Sequence, residues 1–156
     1  AGVDGVLTVD LPPEEAAEAA ELFEAAGIAP IFLLAPTSSE ERIRQTARLA
    51  RGYLYYVSLK GVTGSAALDV AEVTDKLAVI RACTDLPLGV GFGIKDPPTA
   101  AAVARIADAV VVGSALVARM HELADDPERM RREVAAQLAA MRQAMDQAGM
   151  PTAFAG

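Results

Sequence analysis

The chain has 156 residues, a length that suits one domain. Hydrophobic residues make up 53% and charged residues 22%, which allows a packed core and excludes a disordered or fibrous chain. The formal net charge of −7 argues against nucleic acid and anionic membrane as partners. Any phosphate it binds must therefore be held by local geometry, not by a basic surface.

Short β-branched or aromatic runs alternate with longer Ala/Glu/Arg segments, the pattern of βαβ units on a parallel sheet. The first strand is predicted at Val3–Val9, inside which the chain opens. Pro12 and Pro13 begin a helix through Glu14–Ala26, and Gly27 is placed to cap its C-terminus. Ile31–Leu34 is the second strand. Ser38 and Ser39 can cap a helix at Glu40–Arg51, ended by Gly52. Tyr53–Val57 is the third strand, and Asp69 with Glu72 has the spacing of a capping box for the helix that follows. Leu88–Val90 is the fourth strand, after which Asp96-Pro97-Pro98 starts a helix. Ala109–Val112 is the fifth, running through Gly113-Ser114-Ala115 into another helix. Asp126-Pro127-Glu128 opens the last helix, whose Met130, Val134, Leu138, Met141 and Met145 make one apolar packing stripe. The tail 151–156 is expected to be loose.

The strands recur about every 26 residues, close to the roughly 30 per unit of an eight-unit barrel. The fold class expected is therefore α/β, a (β/α)8 TIM barrel of which only the C-terminal five βα units and a terminal helix are present, as a single domain over 1–156. No apolar run reaches the roughly 18 residues of a membrane-spanning helix. The opening Ala1-Gly2-Val3-Asp4 has no signal-peptide pattern. Cys83 is the single cysteine, so an internal disulfide and a Cys-rich zinc site are excluded; a reducing, cytoplasmic setting and no metal are expected.

In a parallel barrel the loops after the strands form the active face. Three are unusual here: Ser58-Leu59-Lys60-Gly61-Val62-Thr63-Gly64-Ser65, Gly91-Phe92-Gly93-Ile94, and Gly113-Ser114-Ala115. Glycines let backbone N–H groups approach an anion, and a helix start directs partial positive charge at it. In complete barrels phosphate is commonly held by the loops after strands seven and eight, where Phe92-Gly93 and Gly113-Ser114 would fall. Gly89, Gly91 and Gly93 copy part of a dinucleotide fingerprint, but no helix opens on the third glycine. His121, the only histidine, has no partner in sequence and reads as a surface or capping residue. Asp10 is open between a base and a helix cap. Tyr55 is open between packing and lining a pocket. Lys60 is open between a solvated lysine and the Schiff-base amine of an aldolase.

The motifs Ala1-Gly2-Val3-Asp4-Gly5-Val6, Asp10-Leu11-Pro12, Phe32–Ser38, Tyr53–Ser58, Gly61-Val62-Thr63-Gly64, Gly91-Phe92-Gly93-Ile94 and Val111–Ala115 together resemble the tryptophan synthase α subunit family, from residue 1 to about residue 145. The resemblance implies retro-aldol cleavage of indole-3-glycerol phosphate to indole and glyceraldehyde 3-phosphate, without a cofactor of the subunit's own. It implies substrate-phosphate binding by Gly64, Phe92, Gly93, Gly113 and Ser114, a pocket lined by Tyr55, and Thr63 on a loop that closes over the site. It further implies a β subunit carrying pyridoxal phosphate, in a heterotetramer. The family's catalytic glutamate and aspartate belong to the second and third strand regions, upstream of Ala1. Neither of that acid/base pair is expected in this chain, and Asp4 and Asp10 match other positions. Leu59-Lys60 departs from the family pattern. The expected state is an inactive fragment with open barrel edges prone to self-association. The alternatives are a Schiff-base aldolase using Lys60 and a noncatalytic phosphate-binding half-barrel.

Overall fold

The computed structural model describes residues 2–9, 13–58, 69–91 and 93–149. Its elements run β1 (Gly5–Thr8), α1 (Pro13–Ala25), β2 (Ala29–Leu34), α2 (Glu40–Leu49), β3 (Leu54–Val57), α3 (Val70–Arg81), β4 (Leu88–Gly91), α4 (Pro97–Ala104), β5 (Ala109–Val111), α5 (Ser114–Glu122) and α6 (Pro127–Ala148). All strand pairs are parallel and sequential, in the order β1-β2-β3-β4-β5. The five expected βα units and the extra helix are therefore all present.

The side chains of Phe32, Leu34, Leu54, Tyr56, Leu88 and Val90 point to one face of the sheet. They pack there with Ile43 of α2, Val73, Leu77 and Ile80 of α3, Ala100 and Val103 of α4 and Met141 of α6. Side chains alternate along a strand, so Leu33, Tyr55, Val57, Gly89 and Gly91 share the opposite face, which no helix covers among the described residues.

Local chemistry sets the helix ends. Ile28 N–H donates to Phe23 O and Gly27 N–H to Glu24 O, with Gly27 at φ 70; these are the two bonds of a Schellman cap. Ser39, Asp69 and Asp126 each accept a backbone N–H of the first turn that follows them. Asp96 and Thr99 exchange both bonds of a capping box.

Several boundaries differ from expectation. Val3 and Val9 lie outside β1, 54% and 67% exposed, because the ladder to β2 runs only from Gly5↔Ala29 to Thr8↔Phe32. Gly52 does not end α2. The helix stops at Leu49, where Ala50 turns extended and Arg51 N–H is drawn to Pro30 O; Gly52 makes the next turn at φ 74. Ser38 does not cap α2 either, since its hydroxyl accepts the Ala35 N–H instead. Leu138 is 43% exposed and off the packed stripe of α6, whereas its neighbour Gln137 is partly buried. Helix rotation is set by the neighbour packed against it, and a stripe read at fixed spacing drifts over 22 residues.

Candidate functional site

The C-terminal ends of β3, β4 and β5 lie side by side. Val57 pairs with Gly91, and Gly91 pairs with Val111. Gly93 and Gly113 thus each stand two residues beyond the same rung, on strands about 4.8 Å apart. Gly93 has φ 74, a left-handed conformation that a side chain would strain, and the buried Ile94 anchors the turn behind it.

Gly113 is the N-cap of α5, and its carbonyl accepts from Leu116 and Val117 N–H. Among the described residues no side chain caps this helix and nothing lies within 4 Å of where a Cβ at Gly113 would stand, and no acidic residue is in its first turn. Ser114 is exposed beside it. The first-turn N–H groups have no intrahelical acceptor and carry the positive end of the helix dipole. The arrangement suits an anion approaching two glycine turns and one hydroxyl.

Tyr55 lies on the uncovered face, two residues below the top of β3. Its ring leans across β4 onto Gly91: a Cβ there would overlap the Tyr55 hydroxyl and stand 2.6 Å from Cζ. Tyr53 rests on Gly89 in the same way, 3.3 Å from the Cβ position. The two glycines are slots for tyrosine rings. Burial, with Tyr53 nearby, pushes the Tyr55 hydroxyl above its ordinary pKa, so it stays a neutral donor at physiological pH. Ser58 N–H donates to Gly91 O, joining the tops of β3 and β4.

Of the residues singled out in the sequence, Tyr55, Gly93, Gly113 and Ser114 are brought to these strand ends. Lys60, Thr63, Gly64, Phe92 and Asp10 lie outside the described residues. His121 is exposed in the last turn of α5. No group of three or more metal-ligating side chains occurs among the described residues. A cavity of about 830 Å³, bordered by Pro87, Asp108, Ala109, Arg142 and Met145, lies at the opposite end of β4 and β5 and is separate from this constellation. Two features escaped the sequence reading: the seat of Tyr55 on Gly91, and Asp108 below β5. A tyrosine on one strand facing a glycine on the next was the available signal for the first; nothing local pointed to the second.

Five parallel, sequential βα units define a portion of a β/α-barrel protein. The family model for the tryptophan synthase alpha chain matches residues 1–146. The tryptophan synthase alpha chain of Methylococcus capsulatus is 60% identical over 146 residues, covering 94% of this chain and 55% of that protein. The crystal structure of tryptophan synthase subunit alpha from Legionella pneumophila superposes with a TM-score of 0.82 at 41% identity, over 94% of this chain and 53% of that one. A tryptophan synthase complex from Pyrococcus furiosus matches at 28% identity and a TM-score of 0.75, over 91% of this chain and 55% of that one. The chain belongs to the tryptophan synthase alpha chain family, and it spans about half the length of the relatives it matches.

Proposed function

We propose that this chain is the phosphate-binding half of a lyase of tryptophan biosynthesis, which cleaves indole-3-glycerol phosphate to indole and glyceraldehyde 3-phosphate. The observation that carries the reading is the placement of Gly93 and Gly113, each two residues beyond the last β4–β5 rung, Gly91↔Val111, with Gly113 as N-cap and Ser114 opening α5. The phosphate is bound by backbone N–H groups and the Ser114 hydroxyl, joined by Gly64 and Phe92. Tyr55 lines the indole side as a neutral donor, and Thr63 belongs to the loop that closes over the site and keeps water out. Carbon–carbon cleavage needs an acid for the indole carbon and a base for the glycerol hydroxyl. Those two carboxylates come from the part of the barrel this chain does not span.

The complete subunit uses no cofactor of its own and works in the cytoplasm. Its partner is a β subunit that carries pyridoxal phosphate and receives indole, in a heterotetramer. Among the described residues β1 and β5 each lack a second neighbour, and the chain by itself self-associates through these edges.

Titration with glycerol phosphate, followed by calorimetry, tests the site. Ser114→Ala removes a hydroxyl bond to a charged group and is expected to weaken binding about 10- to 150-fold. Gly113→Val fills the anion's place and should abolish it. Lys60→Ala should matter far less. Unchanged binding in Gly113→Val, with loss in Lys60→Ala, would move the site to the lysine, and covalent trapping by borohydride would then identify an aldolase.

A further inference from the structure

The helix start at Gly113 and Ser114 stands on a very short strand. β5 has three residues and pairs with β4 only at Gly89↔Ala109, Val90↔Val110 and Gly91↔Val111. It has no second neighbour among the described residues. A slip of two residues would leave every side chain on its own face, so apolar patterning does not forbid it, yet it would move Gly113 by about 6.6 Å. Something else must set the height of β5 on β4.

Asp108, the residue just before β5, supplies that setting as a side-chain rung. Its Oδ2 accepts the Leu88 N–H at 2.7 Å and Arg81 Nη2 at 3.0 Å. Its own N–H donates to Leu88 O at 3.0 Å. Arg81 Nη2 also reaches the Ile106 carbonyl at 3.5 Å, tying the end of α3 to the same turn. Leu88 is the first residue of β4, so the backbone and side chain of Asp108 close a ring on it that one register alone permits. The side chain is 9% exposed, and Oδ1 has no hydrogen-bond partner among the described residues. A buried carboxylate with one oxygen unsatisfied is a poor source of stability; such groups are better explained by the arrangement they enforce.

We infer that Asp108 is a positioning residue for the anion site: by locking β5 to β4 at their base, it fixes the height at which Gly113 and Ser114 emerge beyond the Gly91↔Val111 rung. The choice of phosphate as the ligand rests on the reading above, whereas the geometry can be read without any ligand.

The test uses amide NMR spectra and inorganic phosphate titration of the 156-residue chain. Four variants are compared with the parent: Asp108→Ala, Asp108→Asn, Asp108→Glu and, as a destabilised control on the buried face of α2, Ile43→Val. Asp108→Ala is expected to shift the Val111, Gly113 and Ser114 amides and weaken phosphate binding about tenfold. Asp108→Asn keeps an oxygen for the Leu88 N–H and should recover both. Asp108→Glu keeps the charge but displaces the acceptor by one methylene, so it should shift the same amides, and it decides the matter if Asp108→Ala does not fold. Ile43→Val should lower the melting temperature and move neither readout. If Asp108→Ala and Asp108→Glu melt earlier while the Gly113 and Ser114 amides stay at their parent positions, the inference is overturned. If the parent fails to bind phosphate, the phosphate reading falls, and the amide shifts still decide the role of Asp108.

Discussion

The two faces of the sheet differ in almost every respect. On the helix side, Leu54, Leu88 and Val90 are fully buried, and Phe32, Leu34 and Tyr56 are no more than 3% exposed. On the other side, Leu7 is 39% exposed, Leu33, Tyr55 and Val57 are half-buried, and glycines stand where a closed barrel needs bulk. One face is a finished core; the other is half of an interior whose filling layers are shared among eight strands in a complete barrel. Most of the buried packing therefore lies on the helix side, with Ile31 the buried exception on the open side.

The largest expected effect tests that division. Leu88→Ala should cost about 2–5 kcal/mol, because it empties a site that cannot collapse, whereas Leu33→Ala should cost under about 1.5 kcal/mol. Urea unfolding of both variants checks this; equal losses would mean that the open face is covered in solution.

Gly91→Ala sharpens the contrast from the open side. Its methyl group would enter the space of the Tyr55 hydroxyl, so the ring must swing away, at about 1–3 kcal/mol. Combining it with Tyr55→Ala should remove most of that penalty, and a double-mutant cycle measures the coupling. Additive losses would show that the ring does not rest on Gly91.

A smaller effect concerns the turn behind the site. The Thr99 hydroxyl, and then its N–H, donate to Asp96 and hold its carboxyl below the usual carboxylate range. Because the folded value is depressed, the stabilisation is fully present above the unfolded value of about 3.9 and fades as pH falls through the folded one. Asp96→Ala should cost about 0.5–2 kcal/mol near neutral pH and nothing further in acid. Thermal melts between pH 7 and pH 2 read the difference.

The strand order and most helix ends were legible in the sequence because their causes are local. Gly27, Ser39, Asp69, Asp96 and Asp126 act within one turn of where they stand. The exposure of Leu138 was not legible, since it depends on how α6 rolls against α4. Nor was the seat of Tyr55 on Gly91, which needs the register of β3 on β4. The Asp108 ring spans 20 residues to Leu88 and 27 to Arg81. For the candidate site, the glycines after β4 and β5 and the helix start at Ser114 have a sequence signature, while the rung Gly91↔Val111 that aligns those two strand ends is a property of the ladder.

The proposed function makes this chain the phosphate half of a lyase whose acid/base half lies in the part of the barrel that it does not span. The most direct measurement mixes the chain with a separately produced polypeptide carrying the first three βα units of a family member. Indole released from indole-3-glycerol phosphate is then followed alongside light scattering of each sample. The account predicts no indole and a self-associated species from the chain alone, and indole together with a 1:1 complex after mixing. Indole from the chain alone, or a 1:1 complex that releases none, would contradict it.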